Sequence, residues 1–399
     1  MPTEFHKTFQ QELEGGLRGL EARGQRRSLV EIGGRGGVGG VNFCTNDYLG
    51  LAESEELRAA VVNAVRESPR VGGTGSRLLS GHLQAWDSLE EEFAEFAGTE
   101  AALYFGSGYA ANVGLLTSVL RKDDLVFSDE RNHASLIDGI RLSGARKAIY
   151  RHLDLNALES GLRAEVDGGR ARRKFVVTES VFSMDGDVVA IAKLSALCER
   201  YGAGLILDEA HATAVHGESG RGMAASAGLA RGVIAITHTC SKALASAGAF
   251  VCGSAVLREH LINHARTFIF STAMAPYMAG QVRAALRIAR SMDAERAELL
   301  ARSRRLAAEL RAHGYDTGGS VSQIVPVMIG GNEEAVAAAE FLQSEGFALR
   351  AIRPPTVPLG GARLRLSVTC AIAADELARL ANCLAEWRVH RHAVAAGCS

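Results

Sequence analysis

The sequence predicts an α/β protein: a mostly parallel seven-stranded sheet with helices on both faces, followed by a smaller C-terminal α+β domain. Two observations predict it. Seven short apolar runs, Ala101–Phe105, Leu125–Phe127, Ala148–Tyr150, Phe175–Val177, Leu205–Leu207, Val233–Ile236 and Phe250–Cys252, are mostly separated by helix-length segments, the spacing that parallel crossovers need. The last two runs lie close together, which allows one antiparallel strand. Beyond Pro276 the pattern changes to an Ala- and Arg-rich helical stretch from Met278 to His313. Strands near Gln323–Met328 and Leu364–Val368 and helices around Glu333–Ser344 and Asp375–Arg388 follow it. The chain therefore divides into an N-terminal arm with short strands (1–50), a large domain (51–290) and a small domain (291–399).

In chain order, residues 8–23 read as an amphipathic helix weakened by glycines, an arm outside the core. Ser28–Ile32 and Val41–Cys44 are short strand-like runs joined by the glycine run 33–40. That run contains a literal G-x-G-x-x-G at Gly34, Gly36 and Gly39, but a dinucleotide fingerprint must open a helix, and a strand follows here, so it is a turn. A helix runs from Leu57 to Arg66. After the glycine-rich loop Val71–Arg77, a second helix carries Trp86, Leu89, Phe93 and Phe96 at helical spacing, a stripe that belongs to the core. From His390 the tail is expected to fray.

Composition narrows the function classes. With 399 residues, 47% hydrophobic and 22% charged, the chain can bury a large core, and its formal charge of −1 offers no electrostatic case for nucleic acid or a membrane surface. Seven scattered cysteines without C-x-x-C spacing favour a reducing compartment over disulfides or a zinc site. Met1–Gly24 has mixed charge and no apolar segment, so no signal peptide or membrane anchor is expected, and the reading is a cytoplasmic protein.

The chemistry centres on Lys242, set in the small, hydroxyl-rich turn Thr237–Leu244 directly after the Val233–Ile236 run. Alone, such a lysine is most simply a surface residue. About thirty residues earlier, however, another buried-strand run ends in Asp208, with His211 three positions on. A pyridoxal phosphate (PLP) site needs a lysine for the aldehyde, a carboxylate for the pyridinium nitrogen and donors for the phosphate. Asp208 at the end of a buried strand is costly as a lone charge but favourable opposite a protonated ring nitrogen. The Phe105–Asn112 segment follows a strand and starts a helix, so the amides of Gly108 and Tyr109 can bind an anion. Thr239, Ser271 and Thr272 offer hydroxyls. His133 follows the Leu125 strand and can stack on the ring, and His211 can reach its phenolic oxygen. Their shared place at strand C-termini raises both above ordinary histidines, because open α/β sheets bind ligands at that edge.

The runs Asn42–Gly50, Ser107–Asn112, Asn132–Ser135, Thr178–Asp187, Asp208–His211, Gly217–Gly222, the Lys242 turn and Phe270–Thr272 together resemble the α-oxoamine synthases. These are PLP-dependent transferases of fold type I, the aspartate aminotransferase fold, and the resemblance covers nearly the whole chain. It implies Lys242 as covalent anchor and proton carrier, Asp208 on the pyridine nitrogen, His133 stacked on the ring, and Ser183 and His211 near the phenolic oxygen. It also implies phosphate contacts from Gly108, Tyr109 and Thr239, with Ser271 and Thr272 reaching in from the other subunit of a homodimer whose sites lie at the interface. Substrate contacts are implied at Asn46, Glu179, Arg353, Thr356 and Arg365, the last holding the amino-acid carboxylate. Arg363 shares a strand face with Arg365, so proximity alone does not choose between them. The implied reaction joins an amino acid to an acyl thioester of CoA or a carrier protein with loss of carbon dioxide. Arg353–Pro358 favours alanine with a pimeloyl thioester over glycine with acetyl-CoA. Two departures lie beside the ring: Cys240-Ser241 before the lysine, and Ala212-Thr213-Ala214 where a glycine is usual.

Overall fold

The computed structural model describes residues 3–29, 31 and 39–397, with side chains described to residue 390. The run Ser28–Ile32 and the glycine turn fall partly outside the described residues: Val30 and residues 32–38 are not among them. The chain divides into two compact units. One comprises residues 46–300 with 369–371, and the other residues 1–45, 301–368 and 372–399. The N-terminal segment thus groups with the C-terminal one.

The larger unit holds a seven-stranded sheet. Its strands are β1 (Ala101–Phe105), β2 (Leu125–Asp129), β3 (Arg146–Tyr150), β4 (Lys174–Glu179), β5 (Ala203–Asp208), β6 (Ala235–Thr239) and β7 (Ala249–Gly253). Their spatial order is β1-β7-β6-β5-β4-β2-β3, and all neighbours are parallel except those of β7, which runs antiparallel to β1 and β6. The expected fold class and its one antiparallel strand are both present. β2, β6 and β7 are buried along their whole length, as strands covered on both faces must be. β3 lies at the sheet edge, where Lys147 and Ile149 are exposed and the charges discourage further pairing. A core cluster on the sheet includes Leu103, Leu115, Val126, Ile140, Val177, Ile206 and Val251. Trp86, Leu89, Phe93 and Phe96 are buried in the helix Gln84–Ala97, where Trp86 stacks on Tyr104 and Phe93 on Phe250.

The expected long helix 278–313 is two, Tyr277–Arg290 and Asp293–Ala312, with no glycine or proline at the break. The buried Arg296 bridges it, donating to the Ala289 carbonyl and pairing with Asp293. In the smaller unit, Ile324–Gly330, Ala362–Ser367 and Ala351–Ile352 form an antiparallel sheet with Ala362–Ser367 in the middle. Val41–Asn42 pairs in parallel with Phe347–Ala348, and helices Asn332–Ser344 and Ala374–Gly397 complete the unit. That last helix continues beyond Arg388, through residues expected to fray. The N-terminal helix, Glu4–Ala22, is capped by the Thr3 hydroxyl and leaves Phe5, Phe9, Leu13 and Leu17 exposed at four-residue spacing.

Candidate active site

The predicted chemistry gathers where the strands end. Asp208 closes β5 and is only 5% exposed. In register it faces Glu179 on β4 and Thr237 on β6. The Ala210 amide donates to Asp208 Oδ1 at 2.8 Å and Asn112 Nδ2 donates to Oδ2 at 2.6 Å, so this buried carboxylate is held from two sides. Lys242 follows β6 in the loop to β7. The loop is closed by Cys240 N–H to the Gly248 carbonyl and Ser246 N–H to the Cys240 carbonyl, both 2.9 Å. Gly248 has φ +83°, and a Cβ there would fall 2.1 Å from the Tyr104 hydroxyl, so only glycine fits.

Lys242 Nζ lies 2.9 Å from His211 Nε2. On the far side of the ring, His211 Nδ1 is 2.7 Å from the Tyr48 hydroxyl, which donates to Asn46 Oδ1 at 3.1 Å. With the lysine donating to Nε2, Nδ1–H donates to Tyr48 and every contact has a donor and an acceptor. His133 caps the helix after β2. Its backbone N–H donates to Glu179 Oε1 at 2.6 Å, and its Nδ1 accepts from the Ser135 amide at 3.2 Å. Burial, against an opposing pull from Asp208, lowers the His133 pKa, so the ring is neutral near pH 7. Burial and the neighbouring Asp208 charge raise the Glu179 carboxyl well above the usual carboxylate range.

Ser107 caps the helix Gly108–Val119, its Oγ accepting from Ala110 N–H at 3.1 Å. Helix geometry gives the Gly108 and Tyr109 amides no intrahelical acceptor. The Thr239 hydroxyl stands next to them, 3.6 Å from where a Cβ on Gly108 would sit, and 3.0 Å from Ser241 Oγ. The Tyr109 hydroxyl donates to Asp138. A lysine, a buried carboxylate, a flanking imidazole and a helix-end anion cradle thus surround one place, a donor set that fits PLP. Ser271 and Thr272 are exposed and line a cavity of about 290 Å³ with Arg77, Gly106 and Ser107.

Ser183 sits half-buried in a turn closed by the Val181–Val188 bridge and pinned from outside. Arg131 pairs with Asp185 at 3.1 Å, and His152 lies between Asp129 at 2.8 Å and Asp187 at 2.7 Å, its ring edge-on to Phe182. Burial opposes the charged form of His152, but the hydrogen bonds to both carboxylates outweigh it and raise its pKa to about 9. Folding therefore gains from this group in full below about pH 6.5, and the gain is lost as pH rises toward about 9. Urea unfolding of the wild type should lose stability across that window, and His152→Gln should flatten this part of the profile. An unchanged profile in the variant would remove His152 as the cause.

In the smaller unit, Arg353 donates to the Gly24 carbonyl and Thr356 Oγ1 accepts from Arg27 at 2.9 Å. Arg27, Arg353 and Thr356 line a cavity of about 390 Å³ together with Arg350. The guanidinium of Arg363 donates through Nε to the Gly361 carbonyl at 2.9 Å and the residue is buried. Arg365 is half-buried and donates to Ser367 Oγ at 2.6 Å.

Sequence reasoning passed over Asn112, Ser135 and Tyr48. All three stand inside runs that carried the resemblance, but their partners lie elsewhere in the chain: Asp208 for Asn112 and His211 for Tyr48. At the departures, Ala214 takes the left-handed conformation, φ +63°, that glycine would adopt without strain, and Cys240 is fully buried.

Known proteins share this fold and much of the sequence. The chain is 44% identical to an 8-amino-7-oxononanoate synthase of Geobacter sulfurreducens, over 94% of this chain and 97% of the relative. A serine palmitoyltransferase of S. paucimobilis, solved with a bound PLP–myriocin adduct, superposes with a TM-score of 0.81 at 26% identity, covering 87% of each chain. The 8-amino-7-oxononanoate synthase of Francisella tularensis superposes with a TM-score of 0.75 at 26% identity, over 88% of this chain and 99% of that one. Residues 38–384 match the aminotransferase class I and II family, and the chain belongs to it.

Proposed function

We propose that this protein is a PLP-dependent acyltransferase of biotin biosynthesis. It joins L-alanine to a pimeloyl thioester of CoA or a carrier protein, giving 8-amino-7-oxononanoate, the free thiol and carbon dioxide. The observation that carries the reading is the contact of Lys242 Nζ with His211 Nε2 beside the doubly held Asp208, in a chain 44% identical to relatives of that name.

When bound, PLP supplies a conjugated electron sink that weakens the Cα–H and Cα–carboxylate bonds of the amino acid. The chain supplies the rest. Lys242 anchors the cofactor, then takes the Cα proton and later returns one. His211, oriented by Tyr48, lies within proton-exchange distance of the lysine amine. With PLP bound, Asp208 would hold the proton on the ring nitrogen, His133 would cover the ring face and Ser183 would contact the phenolic oxygen. Gly108, Tyr109 and Thr239 bind the phosphate. The active form is a homodimer, with Ser271 and Thr272 completing the partner's phosphate site. It works in the cytoplasm. Among the described residues no helix is long and apolar enough to cross a membrane.

Arg365 takes the amino-acid carboxylate, a choice favoured over Arg363 by its greater exposure. Asn46 and Glu179 contact the amino-acid end. The cavity lined by Arg27, Arg350, Arg353 and Thr356 suits an anionic group of the thioester substrate, which a pimeloyl chain carries at its far end and an acetyl group lacks. Arg365→Ala should weaken binding of alanine and glycine alike by about 1.5–3 kcal/mol, the scale of a charge-assisted hydrogen bond, in a spectral titration. Undiminished binding would move the carboxylate contact elsewhere.

Substrate choice is tested by specificity constants for two pairs, L-alanine with pimeloyl-CoA and glycine with acetyl-CoA. The first pair should be the better one. A higher constant for the second would make the protein a 2-amino-3-ketobutyrate CoA ligase with the same catalytic residues.

A further inference from the structure

The geometry points to Asn112 and Ser135 as positioning residues that tie the ring-nitrogen partner to the ring-stacking histidine. Asn112 Nδ2 carries two hydrogens, and both are used: one goes to Asp208 Oδ2 at 2.6 Å and the other to Ser135 Oγ at 2.9 Å. Ser135 Oγ in turn lies 2.8 Å from His133 Nδ1 and donates to it. The direction of each bond follows from its neighbours. Asp208 accepts, so the amide nitrogen of Asn112, not its oxygen, must face it. Ser135 Oγ receives one of the Asn112 hydrogens, so its own hydrogen is directed at His133. His133 Nδ1 also accepts from the Ser135 amide at 3.2 Å, which leaves the ring proton on Nε2.

Burial makes the arrangement exacting. Asn112 is 2% exposed and Ser135 is 0% exposed, and Asn112 Oδ1 is buried without a partner among the described residues. A buried unsatisfied carbonyl is costly, and Asn112 carries it while both its hydrogens serve the site. Asn112 also stands on the helix Gly108–Val119, whose first amides form the anion cradle. One helix therefore sets the separation between the anion cradle at Gly108 and Tyr109 and the carboxylate of Asp208, and Ser135 passes the same constraint to the histidine.

This inference rests on the roles given above to Asp208 and His133, so the test includes Asp208→Asn as a reference. Three variants, Asn112→Leu, Ser135→Ala and Asp208→Asn, are reconstituted with PLP labelled with ¹⁵N at the ring nitrogen, in protein carrying ¹⁵N-histidine, and examined by solid-state NMR. Asn112→Leu should move the ring-nitrogen signal toward the unprotonated range, alter the His133 Nδ1 signal and raise the PLP dissociation constant ~10-fold. Ser135→Ala should alter the His133 signal and leave the ring nitrogen in place.

If Asp208→Asn shifts the ring nitrogen while a folded, PLP-loaded Asn112→Leu leaves both signals at their wild-type positions, the coupling is refuted and the site assignment stands. If Asp208→Asn itself leaves the ring nitrogen unmoved, the assignment of Asp208 fails and the coupling fails with it. Should Asn112→Leu not fold, an unchanged His133 signal in Ser135→Ala overturns the proposal on its own.

Discussion

Lys242→Ala is expected to abolish turnover while the protein still folds. The residue is half-buried in the β6–β7 loop, and the backbone bonds that close that loop come from Cys240, Ser246 and Gly248, not from the lysine side chain. Truncation therefore costs little packing. It removes the covalent anchor and the group that moves the Cα proton, and loss of a positioned proton carrier alone is worth ~10²–10⁴-fold in rate. His211 would lose its contact with Lys242 but keep Tyr48 on Nδ1, so the ring stays oriented. The check is a steady-state assay beside far-ultraviolet circular dichroism. A folded variant with undiminished turnover would end the assignment of Lys242.

Asp208→Asn should hold PLP more weakly and lose most of its rate. An amide cannot keep a proton on the pyridine nitrogen as a carboxylate does, and a charge-assisted hydrogen bond replaced by a neutral one forfeits about 1–2 kcal/mol of binding. Inside the protein the change also disturbs a filled set of contacts. Both Asp208 oxygens accept hydrogens, from Ala210 N–H and from Asn112, and an asparagine presents an NH₂ group to one of those donors. Equilibrium dialysis of PLP and single-turnover rates measure the two effects separately. Wild-type values for both would place the ring-nitrogen partner elsewhere.

The sheet could be read from the sequence because its strands are short apolar runs with helix-length spacers, a pattern that parallel pairing imposes. The break at Ser291–Met292 could not, since neither residue interrupts a helical pattern and the buried Arg296 that spans the break is identified only by its contacts. In the site, Lys242, Asp208 and His211 announced themselves as chemistry-bearing residues at strand ends. Asn112 and Tyr48 did not, because an amide in a helix or a phenol in a loop acquires its meaning from a partner distant in sequence. His152 was silent for the same reason: its elevated pKa depends on Asp129 and Asp187, which only the fold places on its two sides.

The lysines of the chain are Lys7, Lys122, Lys147, Lys174, Lys193 and Lys242, so the one that bears PLP can be identified without ambiguity. Borohydride reduction of the PLP-loaded protein fixes the cofactor to the lysine that carries it, and peptide mass spectrometry then locates the modified residue. Modification at Lys242, in proportion to bound PLP and absent from the other lysines, is the predicted result. Labelling at another lysine with Lys242 unmodified would contradict the account at its centre.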